Sequence, residues 1–295
     1  MGAESDARGE RVKFATFLYQ IGGPDLARVA RRAEELGFES LWIPEHLVLP
    51  VEYRSRYPYA ESGRLPVPPD TPLHDPFLAL AFAAAVTSRI RLATGIFVVP
   101  LRNAFATAKA VASLDVLSGG RFIFGVGIGW LEEEFEAVGM PFADRARRTR
   151  EYLALMNQLW TRKEPTFAGR TVHVEGVRFM PKPIQQPRPP IVFGGHTEPS
   201  LRRAAQLADG WYGIAENLHD TRDLIARLRG HERAQNRSTP LEITLSPRLE
   251  VPLTVELVNE FARAGVSRLI IPGARDTERA LAAMEQFHNQ VMARQ

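Results

Sequence analysis

Ile90-Arg91-Leu92-Ala93-Thr94-Gly95-Ile96-Phe97-Val98-Val99 is an apolar run of strand length, and Phe105–Leu117 behind it reads as a helix. Ser118-Gly119-Gly120 closes that helix, and Arg121-Phe122-Ile123-Phe124-Gly125-Val126 begins another apolar strand. The same βα rhythm extends in both directions. Upstream, the strand Val12–Tyr19 precedes Pro24–Leu36, where Leu26, Val29, Ala30, Ala33 and Leu36 recur at helical spacing until Gly37. Ser40–Ile43 is a second strand, with a helix starting at Pro76. Downstream come a helix over Arg145–Trp160, a strand Ile191–Phe193 with a helix from Glu198, and a strand Gly210–Ala215 with a helix from about His219. The strand within Glu242–Leu245 is followed by Thr254–Ala264, and Arg268–Ile271 by a last helix from Thr277 to about Met292.

Eight short apolar strands, nearly all followed by helices, fit a closed (β/α)8 TIM barrel better than an open doubly wound sheet. An open sheet of that size would more naturally carry a nucleotide fingerprint. Two segments interrupt the rhythm. Residues 50–73 hold six prolines and form a long loop, and 166–180 reads as a hairpin insertion beside the proline-rich 181–190. Residues 1–10 are polar and of mixed charge, a frayed tail, leaving 11–295 as a single barrel domain.

Composition narrows the function. With 295 residues, 45% hydrophobic and 24% charged, the chain is neither disordered nor fibrous. Lys plus Arg (37) exceeds Asp plus Glu (34) by three, which gives nucleic-acid binding little support. The absence of cysteine excludes disulfides, thiolate catalysis and Cys-bound metal clusters. Seven histidines show no close H-x-x-x-H pairing, so no metal site is expected. Met1–Glu10 lacks the apolar stretch of a secretory signal, and Phe77–Val86 is too short to span a bilayer. A cytoplasmic protein is the expectation.

In a TIM barrel the chemistry sits just after the strands. Pro44-Glu45-His46 follows the second strand, and a histidine beside a carboxylate exchanges protons near neutral pH. Gly125-x-Gly127-x-Gly129 follows the fourth strand. Trp130 stands where a dinucleotide fingerprint needs a third glycine, so what remains is backbone that a flat ligand or phosphate can approach, or simply a tight turn. Gly194-Gly195-His196-Thr197 precedes a helix and offers an anion site, with plain capping by Thr197 as the alternative. Arg145, Arg147, Arg148 and Arg150 read as a solvated helix face. Glu132–Glu134 reads likewise, unless Glu134 turns inward beside Phe135.

Leu41-Trp42-Ile43-Pro44-Glu45-His46, Arg91-Leu92-Ala93-Thr94-Gly95-Ile96 and Gly125-Val126-Gly127-Ile128-Gly129-Trp130-Leu131-Glu132-Glu133-Glu134-Phe135 together resemble the bacterial-luciferase-like superfamily. The G-x-G-x-G-W-x-x-E-E-F form is most similar to its branch of oxidoreductases using the deazaflavin coenzyme F420. The resemblance implies hydride transfer between F420 and a small organic substrate, with an FMN-dependent monooxygenase using O2 or a non-catalytic flavin-binding protein as alternatives. It implies His46 and Glu45 as catalytic residues at the reactive face. The cofactor residues it implies are Thr94, Gly95, Ile96, Gly127, Gly129, Trp130, Glu134, Gly194, Gly195, His196 and Thr197. A non-prolyl cis bond at Gly95–Ile96 and a homodimer follow from the same resemblance. It also implies that a β-branched residue at Gly95 weakens cofactor binding far more than folding. The sugar-phosphate dehydrogenase branch carries a glutamate where this chain has Trp130, which argues against sugar-phosphate oxidation.

Overall fold

Eight parallel strands close into a barrel in the computed structural model, which describes residues 11–248 and 251–295. They are β1 (Lys13–Phe17), β2 (Ser40–Ile43), β3 (Arg91–Thr94), β4 (Phe122–Gly127), β5 (Ile191–Gly194), β6 (Gly210–Ala215), β7 (Glu242–Pro247) and β8 (Arg268–Ile271). Leu92 pairs with Phe122 across β3 and β4, and Lys13 with Arg268 across β1 and β8, so the sheet closes on itself. The architecture is the expected α/β TIM barrel. The tail assigned to residues 1–10 lies outside the described residues.

The surrounding helices are α1 (Gly23–Glu35), α2 (Pro76–Ala85), α3 (Ala104–Leu117), α4 (Glu132–Ala137), α5 (Arg145–Thr161), α6 (Glu198–Leu207), α7 (Leu218–Ala234), α8 (Val255–Arg263) and α9 (Thr277–Gln290). Most begin where a polar cap allows. Asp75 accepts from the backbone N–H of Phe77 and Leu78 ahead of α2, while Asn103, Thr197, Asn217, Thr254 and Asp276 serve their own helices. One expectation needs correcting. The strand read over 90–99 breaks after Thr94, passes through a cis Gly95–Ile96 bond, and resumes as the two-residue strand Phe97–Val98 beside β4. Glu132–Ala137 is a short helix whose Glu132 stays exposed, as a solvated face requires, while Glu134 turns inward beside the buried Phe135. The hairpin within 166–180 consists of Phe167–Ala168 and His173–Val174, and residues 50–73 hold neither helix nor strand.

Alternation along the strands sorts two cores. Ala15, Phe17, Trp42, Ala93, Ile123, Val192, Tyr212 and Ile270 fill the barrel interior, while residues such as Leu41, Leu92, Phe124 and Phe193 pack under the helices. The interior is graded along its axis. At the strands' N-terminal end the fully buried Arg268 donates to both oxygens of Glu39 (2.7 and 2.9 Å), to Glu242 (3.1 Å) and to Thr244 (2.9 Å). At the opposite end Gly95, Gly125, Gly127 and Gly194 replace side chains with space. Gly125 has a further reason to be glycine, since a Cβ there would run into the Thr94 carbonyl. Among the described residues no helix is long and apolar enough to cross a membrane.

Candidate active site

A cavity of about 1300 Å³ opens at the C-terminal ends of the strands. Glu45, His46, Gly95, Ile96, Gly127, Gly129, Trp130, Gly194, Gly195, His196 and Thr197 all border it, so segments spread along the chain share one space. Thr94 and Glu134 do not border it. Thr94 is fully buried and donates to the Gly125 carbonyl (2.7 Å), tying β3 to β4.

Glu134 stands behind His46. Its Oε2 lies 2.8 Å from His46 Nδ1, and its Oε1 accepts from the Leu47 N–H at 2.7 Å. A carboxylate oxygen accepts here, so Nδ1 carries the hydrogen of this bond and Nε2 is the nitrogen left for other partners. With a side chain 13% exposed at the cavity wall, His46 is held in one tautomer and one orientation. Glu45, expected beside it at the reactive face, has its oxygens engaged elsewhere. Oε2 accepts from the Val98 N–H (2.7 Å), and Oε1 sits 2.5 Å from Arg102 Nη2, off the line of a hydrogen bond. Burial pushes the Glu45 carboxyl up to about 7, although the Arg102 guanidinium opposes this. That arrangement suits a residue positioning the Phe97–Val98 segment better than one touching reacting atoms.

Ile96 forms the cavity floor. A Cβ at Gly127 or Gly194 would lie 2.9 or 3.2 Å from its side chain, so both glycines make room for it. Gly95 faces the other way: a Cβ there would lie 2.9 Å from Phe17 and 3.0 Å from Trp42, inside the barrel. A β-branched residue at 95 therefore disturbs the core, and the selective loss of cofactor binding expected from sequence gives way to a loss of folding as well.

On the β5 side, His196 Nε2 accepts from the Ile214 N–H (2.9 Å), and burial, with Arg227 and Arg248 nearby, pushes its imidazole down to about 4. It is a neutral strut between β5 and β6. Thr197 caps α6 by accepting from Ser200 N (3.4 Å), and Arg203 donates to Ser200 Oγ (3.1 Å) while its own Nε is buried without a partner. Arg145 reaches the same wall, bonded to the carbonyls of Gly129 (3.2 Å) and Phe142 (3.0 Å). Among the described residues no carboxylate pairs with either arginine, and burial with Arg150, Arg145 and Arg202 nearby lowers the pKa of Arg203. The solvated face expected for residues 145–150 is thus corrected: Arg145 turns into the cavity, and Arg148 is held by Asp144 at 2.9 Å.

Residues 50–73 roof the opening. Glu133 accepts from the N–H groups of Arg54 (2.6 Å) and Ser55 (3.2 Å), and although burial opposes it, hydrogen bonds from Ser55 and from backbone hold its carboxyl down at about 2. Arg275 donates to the Pro66 carbonyl (2.8 Å), and Arg248 donates to the Tyr59 carbonyl and to the Tyr57 hydroxyl (3.1 Å). Trp130 meets His46, Tyr53 and Tyr57 edge-on at 6.2, 5.8 and 5.2 Å. Arg203 and Arg248 escape the sequence reading, and Arg145 reads there as solvent-facing, because none lies in a motif and each gains meaning only from distant neighbours.

The chain matches the luciferase-like monooxygenase family over residues 14–295 and belongs to it. The uncharacterized protein Rv0953c of Mycobacterium tuberculosis is 38% identical over 185 residues, which cover 63% of this chain and 66% of that protein. The FMNH2-dependent dimethylsulfone monooxygenase of Pseudomonas putida is 32% identical over 131 residues, 43% of this chain and 36% of that enzyme. Three solved structures superpose with TM-scores of 0.74, each covering 96% of this chain and 99% of the other. They are the monooxygenase RslO1 of Streptomyces bottropensis (21% identical), the coenzyme F420-dependent tetrahydromethanopterin reductase of Methanopyrus kandleri (19%) and an F420-dependent secondary alcohol dehydrogenase (16%). At these identities the likeness is one of fold. The chain is an enzyme of the luciferase-like oxidoreductase and monooxygenase family.

Proposed function

We propose that the protein transfers a hydride between coenzyme F420 and a small organic substrate. The observation that carries this reading is a cavity with three differentiated parts: the apolar Ile96 floor, two arginines without carboxylate partners at one end, and His46 fixed by Glu134 at the other side. A planar heterocycle with an anionic tail needs such a slot and such a terminus. Ile96 and Val98 would carry the ring, while Arg203, Arg145 and the α6 N-terminus would hold the phosphate. The bound deazaflavin supplies the hydride chemistry. His46 Nε2 takes the proton of a substrate hydroxyl in the oxidative direction and returns it in the reductive one.

The second reading, an FMN-dependent monooxygenase, draws on the Pseudomonas relative, an FMNH2-dependent monooxygenase. Titrating the purified protein with F420 and with FMN, followed by absorbance, separates the two. F420 is expected to bind tighter, and Arg203→Met to weaken it by about tenfold through loss of a charge-assisted contact. Preference for FMN favours the second reading, and binding of neither ends both.

We further propose a homodimer joined through α2. That helix is apolar nearly all round, yet Leu78 and Phe82 are 73% and 44% exposed, as is Leu117 of the adjoining α3 at 73%. A surface helix with no polar face needs a cover. Light scattering is expected to give a dimer for the native chain and a monomer for Leu78→Glu/Phe82→Glu; a native monomer refutes the contact.

A further inference from the structure

We infer that the substrate is a planar, largely apolar acid whose carboxylate is gripped by Arg248 and Tyr57. The inference rests on the reading above, in which a redox cofactor occupies the Ile96 and Arg203 side of the cavity. Charge is the first argument. Among the described residues bordering the cavity, Glu45 is the one carboxylate, and its oxygens are engaged by the Val98 N–H and Arg102. The exposed Arg56 on the roof and the half-buried Arg248 also border the cavity, and no ion pair joins either to a carboxylate among the described residues. A half-buried guanidinium in such a wall favours an anionic ligand.

Hydrogen-bond bookkeeping is the second argument. A guanidinium has five N–H hydrogens, and Arg248 spends one on the Tyr59 carbonyl and one on the Tyr57 hydroxyl. Three remain. The Tyr57 oxygen accepts from Arg248, so its own hydrogen is free for another acceptor, and both residues border the cavity. Arg248 and Tyr57 therefore present adjacent donors with no acceptor opposite among the described residues, a pattern that a two-oxygen anion satisfies.

The third argument is shape. Trp130 meets both Tyr57 (5.2 Å) and His46 (6.2 Å) edge-on, and all three border the cavity. A molecule anchored at Tyr57 therefore has an aromatic wall beside it that also touches His46, and a flat apolar body is what such a wall accepts.

The test uses the cofactor-loaded protein and two probes of nearly equal shape, 2-naphthoate and 2-naphthamide, with binding read by calorimetry. Naphthoate is expected to bind roughly 10- to 100-fold tighter than naphthamide, and Arg248→Met to bring that ratio close to one with naphthamide and F420 affinities unchanged. Tyr57→Phe, which removes only a hydroxyl, is expected to lower the ratio about fivefold and serves if Arg248→Met does not fold. Equal binding of the two probes by the native protein overturns the inference. So does a preference for naphthoate that survives Arg248→Met, or a matching loss of F420 affinity in that variant, which would give Arg248 to the cofactor. Failure of the native protein to bind F420 or FMN at all would strike the functional reading instead, and is seen in the loading step before any probe is added.

Discussion

His46→Ala is expected to lower kcat by about 10²- to 10⁴-fold while leaving cofactor affinity within a factor of two or so, as for loss of a positioned acid–base group. The reason lies in how little freedom the imidazole has. Glu134 holds Nδ1 at 2.8 Å and is itself fixed by the Leu47 N–H, which leaves Nε2 for the cavity side. Removing the ring removes the proton relay, whereas the Ile96 floor and the arginine end stay in place. Glu134→Gln keeps the volume but offers the ring an amide in place of a carboxylate. Its turnover is expected to fall less than that of His46→Ala, because the ring stays in place and loses only the carboxylate that orients it. Steady-state kinetics with F420 and a reducible or oxidisable probe, beside equilibrium binding of F420, measure both quantities. Unimpaired turnover in His46→Ala would remove this residue from the mechanism and return the chain to a flavin-binding role.

The largest effect on stability is expected at the other end of the barrel. Arg268→Ala should destabilise the fold by about 3 kcal/mol, the cost of losing a fully buried cation that two half-buried carboxylates share. Arg268 is fully buried, and its guanidinium spans Glu39 from the segment before β2 and Glu242 from β7. The sign of the pH dependence follows. Burial alone would raise both carboxyls, but Arg268 outweighs it and holds each below its ordinary value of 4.5. Carboxyls depressed in the folded state stabilise it above the unfolded pKa, and that contribution is lost as pH falls through their folded values. The gap between native protein and variant is thus expected to be full above about pH 4.5 and to narrow below it. Urea denaturation at several pH values tests this. A gap that stays constant into acid would mean that packing, not charge, explains the loss.

Much of this molecule is written in local patterns. Short apolar runs separated by capped helices predict the barrel, because alternation and helical spacing depend on residues a few positions apart. The glycines after β3, β4 and β5 mark the mouth for the same reason: missing side chains are visible without knowing what they face. His46 is likewise legible as a strand-end histidine. What the glycines make room for is not. Gly127 and Gly194 clear Ile96, while Gly95 clears Phe17 and Trp42, a distinction that depends on the direction of each Cα–Cβ bond in the closed sheet.

The partners of charged groups lie further still from local reading. Glu134 serves a histidine 88 residues away, and Arg248 reaches a tyrosine 191 residues away. Arg145, on a helix face that spacing assigns to solvent, borders the cavity because α5 brings its first turn against the Gly129 carbonyl. Sequence by itself determined the order of strands and helices and the glycines and histidine at the strand ends. Only the tertiary structure decided which carboxylate meets the imidazole, which arginines border the cavity and which acid holds the Val98 N–H. Hydrogen bonds and ion pairs act over a few ångströms in space, and barrel closure chooses which distant residues come within that reach.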